Sequence, residues 1–466
     1  MSFLDRFTKN NRKELNIIIV GCGKVGTTLI RRLSEEGHNV TFIDMNRIVV
    51  DKISDMYDVM GDVGNGSSYK VQMEAGIEHA DLFIAVTESD ELNLLCCTVA
   101  KKVGDCASIA RVRNPVYSDE QPYLREKLGL SMIINPELEA AREISRILRL
   151  PAALSTSSFA KGQAEMIRFQ IPEGSPLDKK VLFQLQKEFD FKFLICTVER
   201  GGDMVITNGD YRLQSGDIIT IVATARNAYF LFRKVGLVKK RVSNAIIIGG
   251  GRTCYYLSKQ LSDMGISVKV IENNPERCEE LSELLDNTLV IHGDGTDENL
   301  LIREGLENAD AFVPLTGIDE ENILLTLYAK RVTNAKVVTK VNRINFKSVI
   351  NSLELGSVIH PRLLISEMIL TYVRGMRNSM NSDNIEALYH WFEDRVEAIE
   401  FRIKGDSAVI DIPLCKLKLK KGVLVGCISR DGKIIIPKGQ DYITKGDSVM
   451  IVTTHTGFQN ITDILA

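Results

Sequence analysis

One pattern occurs twice in this chain and constrains its fold more than any other. Residues 17–33 read Ile-Ile-Ile-Val-Gly-Cys-Gly-Lys-Val-Gly-Thr-Thr-Leu-Ile-Arg-Arg-Leu. The leading apolar run is β-branched throughout, which predicts a buried strand. Val25, Leu29 and Leu33 then recur at helical spacing. Between them the glycines fall at G-x-G-x-x-G. A strand, a glycine turn and a helix are the context in which that spacing points to a dinucleotide. Gly21 would allow the tight turn, Gly23 the approach of backbone N–H groups to a pyrophosphate, and Gly26 close packing of helix on strand. Cys22, Lys24 and Val25 complete the loop. The positive end of the helix would face the phosphates.

The next strand, Val40-Thr41-Phe42-Ile43, ends at Asp44, 18 residues past Gly26. That is close to the ~20 expected of a carboxylate accepting from ribose hydroxyls. Asp44 would repel a 2′-phosphate, which favours NAD over NADP. A strand-end Asp can instead cap the following helix, but the glycine loop beside it weighs toward a ligand.

The chain continues as strand–helix units. Helix 48–56 precedes a short strand, Asp58-Val59-Met60, ending at Gly61-Asp62. A Gly/Ser turn at 64–68 leads to a helix, then strand 81–86 ends in Thr87-Glu88. Asp90 opens a helix, strand 107–112 carries Arg111, and Asn135-Pro136-Glu137 starts a long helix with Asn as N-cap and Pro in the first turn. Strands alternating with helices of this size predict a parallel, doubly wound Rossmann-type sheet. From about 159 to 236 the pattern changes to short strands (164–171, 191–199, 204–207, 218–223) with helices at 178–187 and 226–235, a small α+β lobe.

Then the chain begins again. Ile246-Ile247-Ile248-Gly249-Gly250-Gly251-Arg252-Thr253-Cys254 repeats the opening loop at an offset of 228 from Gly21 to Gly249. Glu272 ends its second strand, as Asp44 ends the first. Gly293-Asp294 is read as the counterpart of Gly61-Asp62. Asp310, Asn322 and Lys340 answer Asp81, Asn93 and Arg111, each at an offset of 229. Lys445-Gly446-Asp447 answers Ser215-Gly216-Asp217 at 230. The fold class is therefore α/β, two tandem modules, each a Rossmann-type parallel sheet followed by a small α+β C-terminal lobe. The expected domains are 15–135, a crossover helix and linker at 136–158, 159–238, then 243–360, a second crossover at 361–384, and 385–466. In the second half the third loop glycine is Cys254, whose Cβ would hold the helix off the strand and weaken pyrophosphate binding. Lys340 in place of Arg111 keeps the charge and loses the planar fork.

Composition excludes several classes. With a net charge of −3 there is no electrostatic footprint for nucleic acid. Nine cysteines form no C-x-x-C pair and several sit in apolar strands or helices, the usage of a reduced compartment. Six scattered histidines give no metal motif. No apolar run approaches the ~18–20 residues needed to span a bilayer, and Met1 to Leu15 lacks the apolar core of a signal peptide.

The Gly-Cys-Gly-Lys-Val-Gly loop with Asp44, Gly-Asp at 61–62, Ala-Val-Thr-Glu-Ser-Asp-Glu-Leu-Asn at 85–93, Ala-Arg-Val at 110–112 and the Ala-Asp pairs at 80–81 and 309–310 resemble the RCK module, a Rossmann lobe followed by a small C-terminal lobe. Two in one chain resemble the tandem-RCK family of cytosolic regulatory subunits of Trk-type potassium uptake systems, over nearly everything from Leu15 onward. The resemblance implies that Gly21, Gly23 and Gly26, with Gly249 and Gly251, hold a dinucleotide pyrophosphate, and that Asp44 and Glu272 hold the adenosine ribose. It implies that Thr87 with Glu88, and Thr316, line the cleft, and that Arg111 reaches toward phosphate. The implied cofactor is NAD or NADH. The implied partners are a Trk-type membrane potassium-transporting subunit at the inner face of the cell membrane and further copies of the chain, as a dimer or tetramer.

Other candidates are weighed on their residues. Asp62 and Asp294 can meet an adenine edge or close a turn on their own backbone. Lys24 can add charge near the pyrophosphate or face solvent. Gly250, Arg252 and Thr253 enter as loop backbone only. Asn93 and Asn322 read as structural. Lys239-Lys240-Arg241 could lie near anionic headgroups; the alternating run 416–421 reads more simply as a strand with one wet face. Cys22 and Cys254 lie beside helix N-termini, where a thiol can become reactive, but inert packing is favoured. A dehydrogenase would need an acid/base near the nicotinamide, and none is placed there, so a nucleotide-sensing regulator is the expected class. The same loop would also accept ATP or ADP.

Overall fold

The computed structural model describes residues 14–118, 120–150, 152–159, 162–237, 242–342, 353, 355–379, 385–391, 396–455, 458 and 460–466. The basic run 239–241 and the first thirteen residues lie outside that set.

Strands β1 (Asn16–Val20), β2 (Asn39–Asp44), β3 (Met60–Val63), β4 (Leu82–Ala85), β5 (Ala107–Arg111) and β6 (Met132–Ile134) form one sheet in the order β3-β2-β1-β4-β5-β6. Every pairing is parallel. Helices cover both faces, which is why the inner strands read as unbroken apolar runs: Ile17 to Val20 and Leu82 to Ala85 are all buried. The order reverses at β1 and β4, and in such sheets ligands bind at the carboxyl ends of the strands flanking the reversal. The sixth strand, only three residues long, carries too little periodicity to be read from sequence.

β3 differs from the expected strand. It begins at Met60 and runs through Gly61 and Asp62 to Val63. Gly61 is inside the strand because Phe42 and the helix Arg47–Met56 pack onto it: a Cβ there would lie 2.5 Å from the Phe42 ring and 2.8 Å from Val50. Asp44 therefore pairs with Val63.

The first small lobe contains β7 (Ser155–Phe159), β8 (Ala164–Gln170), β9 (Phe193–Arg200), β10 (Asp203–Ile206) and β11 (Ile218–Ala223), an antiparallel sheet in the order β10-β9-β11-β8-β7. The second half repeats both sheets. β12 (Asn244–Ile248), β13 (Ser267–Glu272), β14 (Thr288–His292), β15 (Ala311–Pro314), β16 (Lys336–Lys340) and β17 (Ser357–Ile359) run β14-β13-β12-β15-β16-β17. β18 (Ile385–Trp391), β19 (Val396–Arg402), β20 (Val423–Arg430), β21 (Lys433–Ile435) and β22 (Ser448–Thr453) run β18-β19-β22-β20-β21. In register, Glu272 pairs with His292 as Asp44 pairs with Val63. The true counterpart of Gly293-Asp294 is thus Gly64-Asn65, at the same offset of 229 as the other landmarks, and the expected match to Gly61-Asp62 is corrected. Both turns close alike: Asn65 Oδ1 accepts from the N–H and hydroxyl of Ser67, and Asp294 Oδ1 from those of Thr296.

The chain divides into two compact units, and each pairs like with like. One, ending at Ser145 and resuming from Val242 to Leu370, holds the two parallel sheets; the other, Arg146–Arg241 and Thr371–Ala466, holds the two antiparallel ones. In the first unit, Tyr256 on the helix Arg252–Asp263 donates to the Arg113 carbonyl (3.1 Å) and accepts from Asn135 Nδ2 (3.0 Å). The crossover helix Pro136–Arg149 meets that same helix through Ser145 and Gln260 (2.9 Å). Reciprocally, Glu367 on the crossover helix Pro361–Ser379 pairs with Arg32 of the first half at 2.7 Å. Asn135 caps its helix as expected, accepting from Leu138 N–H.

In the second unit each sheet has its own core and the two share a third, with Met166, Cys196 and Val222 against Ala398, Cys427 and Met450. The repeated Gly-Asp turns hold matching ion pairs: Arg200 grips buried Asp217 and Arg430 grips buried Asp447, both bidentate. The run 416–421 is not a strand. A 3-10 turn, Leu414–Lys416, leads into a single bridge at Leu419, and Leu417 and Leu419 pack against the lobe core. Among the described residues no helix is long and apolar enough to cross a membrane, and no group of His, Cys, Asp or Glu could hold a metal ion.

Candidate functional site

The first parallel sheet opens at its carboxyl edge into a cleft of about 790 Å³. Its floor is the glycine loop. Gly21 has φ +92°, and a Cβ there would lie 2.8 Å from the Thr87 nitrogen, so only glycine fits both the turn and the approach. Gly23 is the N-cap of the helix Lys24–Glu35 and supplies no side chain to its first N–H groups. A Cβ on Gly23 would meet nothing within 4 Å, so its flank is open for a ligand. Gly26 lies behind the loop: a Cβ would come within 2.0 Å of the Gly21 carbonyl oxygen. Cys22, Lys24 and Val25 line the cleft as well.

Asp44 stands at the end of β2. Its Oδ2 accepts from Cys22 N–H at 2.7 Å and its Oδ1 from Asn46 N–H at 2.9 Å. The helix cap is Asn46, which accepts from Ile48 N–H, so Asp44 does not have that role. The carboxylate ties the glycine loop to β2 and keeps a further lone pair on each oxygen for ribose hydroxyls. Asp62 is not among the residues lining the cleft; Asn65, three residues later, is.

The opposite wall hangs on one buried amide. Asn93 Oδ1 accepts from the N–H and hydroxyl of Thr87 (2.8 and 2.7 Å), and its Nδ2 donates to the carbonyls of Thr87 and Arg111 (3.2 and 2.9 Å). This clamp sets the Thr87-Glu88 turn against β5. Arg111 donates to the Thr87 carbonyl and Arg113 to the Glu88 carbonyl. Buried Asp90 fixes the turn after β5 by accepting from Arg113 and Asn114 N–H groups, both at 2.8 Å. Burial pulls the Arg111 pKa down, and neighbouring Arg113 adds to this, against Glu137, Asp90 and Glu88. Arg111 Nε is buried without a hydrogen-bond partner. An anion reaching this wall would oppose that downward pull.

The second half repeats the geometry with altered chemistry. Gly249 has φ +95°, and Gly251 is the N-cap with backbone angles within a few degrees of Gly23. Glu272 accepts from Gly250 and Asn274 N–H groups at 2.6 and 2.8 Å, as Asp44 does in the first half. Asn322 clamps Thr316 and the Lys340 carbonyl through the same four bonds. Lys340 Nζ donates to the Leu315 carbonyl at 2.8 Å, one bond where the guanidinium offers a fork. The Cys254 side chain is accommodated. A Cβ on Gly249 would lie 3.2 Å from the β15 exit, against 2.8–3.0 Å for Gly21, so the second loop stands slightly further out. Arg277 Nε donates to the Gly250 carbonyl at 2.6 Å, and Arg252 is exposed while Thr253 is buried.

Burial and adjacent Asp44 push the Cys22 thiol up, and burial pushes Cys254 up to about 12. Neither is a ready thiolate, in keeping with inert packing.

Family models match both parallel-sheet lobes and one small lobe: the TrkA-N domain at residues 17–136 and 245–361, and the TrkA-C domain at 166–235. The chain belongs to the TrkA family. The Trk system potassium uptake protein TrkA homolog of Archaeoglobus fulgidus is 32% identical, over 97% of this chain and all of that relative. Homolog 2 of Methanosarcina mazei is 29% identical, over 96% and 99%. TrkA of Haemophilus influenzae is 29% identical, over 94% and 95%. Among solved structures, the GsuK channel bound to NAD superposes with a TM-score of 0.62 at 17% identity, covering 97% of this chain and 81% of that one. The GsuK RCK domain gives 0.60 at 18%, covering 95% and 93%. Those two likenesses establish the shared fold.

Four polar or charged residues that line the first cleft are not among the candidates named from sequence: Asn46, Asn65, Arg113 and Arg362. Asn65 and Arg113 lie two or three residues from named candidates, and Asn65 follows once the register of β3 is known. Arg362 comes from the other half, and no local pattern points to it.

Proposed function

We propose that this chain is a nucleotide-sensing regulatory subunit of a Trk-type potassium uptake transporter, binding NAD or NADH at the first cleft and passing a conformational change to the membrane subunit. The observation that carries the reading is the first cleft itself. An uncapped helix N-terminus, an open glycine flank, Asp44 at the ribose position and Arg111 with an unpartnered donor converge at the sheet's switch point. These are the parts that hold a pyrophosphate and an adenosine ribose. ATP and ADP present the same adenosine and phosphates and are the alternative ligands. The potassium role rests on family membership. The domain division follows the sequence reading, with sensing by 15–135 and 243–360 and transmission through the crossover helices. The protein would act at the inner face of the cell membrane, as a dimer or tetramer.

A ligand can bias the transporter only through different affinity for two conformations. A ~100-fold difference would make about 2.7 kcal/mol available. An NAD-dependent dehydrogenase is the competing class.

The test is a titration of the full chain with NADH, NAD, ATP and ADP, followed by fluorescence and calorimetry, with absorbance recording turnover. Isolated halves are unsuited, since a cut near residue 240 would split both compact units. Saturable binding without consumption supports the sensor. Absence of binding, or steady NADH loss with a carbonyl compound, overturns it.

A further inference from the structure

The first cleft is not built by the first half alone. Arg362, the second residue of the helix Pro361–Ser379, lines it together with the loop residues Gly23 and Lys24 and the wall residues Arg111 and Arg113. Its helix is held against the first half by the Arg32–Glu367 ion pair, one turn further along. Its guanidinium is steadied from the second half, with Nη1 donating to the Asn342 carbonyl at 3.1 Å. A guanidinium carries five N–H donors in a planar fork, which suits phosphate oxygens.

The matching position in the first crossover helix is Glu137, also the residue after the opening proline. Its charge bears on Lys340 of the second half, as well as on Arg111. Each crossover helix thus touches the other half, the first through Ser145 and Gln260 and the second through Glu367 and Arg32. Arg362 brings a cation to the first cleft where the matching residue of the first crossover helix is an acid.

We propose that Arg362 is a phosphate-binding residue of the first cleft, so that an adenine nucleotide bound there bridges the glycine loop of one half and the crossover helix of the other. Its contribution grows with the charge on the ligand, in the order NADH, ADP, ATP. The helix carrying Arg362 continues from one compact unit into the other, so the bridge acts on an element that leads out of the nucleotide-binding unit. The inference rests on the proposed function only in taking the cleft as a nucleotide site.

The experiment compares the full chain with R362Q and R362K in binding NADH, ADP, ATP and adenosine. Hydrogen exchange over residues 361–370, with and without ATP, gives an independent readout. R362Q is expected to weaken ATP by about tenfold or more, NADH by less, and adenosine not at all, with R362K falling between. ATP should slow exchange at 361–370 in the natural protein and not in R362Q. The inference is overturned if the natural protein binds ATP and R362Q or R362K binds it equally well. It is also overturned if adenosine weakens as much as ATP, since that would mark a merely structural arginine. If the natural protein binds no nucleotide, the functional reading fails and takes this one with it. If R362Q does not fold, R362K decides.

Discussion

Replacing Asp44 by alanine removes two acceptors at once. The Cys22 N–H, in a buried residue, loses a charged partner at 2.7 Å, and the Asn46 N–H loses one at 2.9 Å. Water can replace the second, whose residue is exposed. The first is left inside the loop, at a cost of about 1–3 kcal/mol in unfolding free energy. Binding should suffer separately. Charge-assisted bonds to the ribose are worth about 1.5–3 kcal/mol, so NADH affinity at the first cleft should fall by roughly 10- to 150-fold. Because the carboxylate also repels a 2′-phosphate, the natural protein should prefer NADH over NADPH, and the variant should lose most of that preference. Denaturant unfolding of the full chain reads the first effect, and fluorescence titration with both cofactors reads the second. If stability falls while NADH binding and the NADH/NADPH ratio stay unchanged, Asp44 is a loop strut only and the ribose assignment is wrong.

The Asn93 clamp makes four bonds inside the protein, so Asn93→Ala should cost about 2–4 kcal/mol in urea unfolding. A loss under 1 kcal/mol would show that water replaces it. Gly26→Cys copies the second half into the first, where a Cβ meets the Gly21 oxygen at 2.0 Å; it should destabilise by about 1–3 kcal/mol and lower first-site affinity. Retained stability and binding would mean the first loop can move outward as the second has. Only Cys415 among the nine cysteines is exposed, and burial raises the thiol pKa of Cys22, Cys96, Cys196 and Cys254, so at pH 8 these stay protonated. A thiol reagent should therefore modify Cys415 rapidly and the others only on unfolding, and fast labelling of Cys22 would contradict the packing described.

What the sequence determined by itself is local. Each of β1, the glycine turn and the first helix turn is specified within a few residues by side-chain branching, period and the Cβ-free positions, so they and their copies 228–230 residues later were legible. The order of the two lobes in each half was legible for the same reason. Short strands such as β6, and the start of β3, were not, because three residues carry no period and Gly61 sits in a strand only through Phe42 and Val50 packed against it. With that shift of register it is Asn65, not Asp62, that lines the cleft. The role of Asn93 also needed three dimensions: its place in the first turn of a helix marks it only as structural, while its bonds reach Thr87 and Arg111 on two different strand ends. Most of all, tertiary structure decided that like lobes pair across the repeat, and so that Arg362 reaches a cleft whose glycine loop lies more than three hundred residues earlier in the chain. No pattern in a sequence window records which face of a distant helix will meet a cleft, because that is set by the packing of whole lobes.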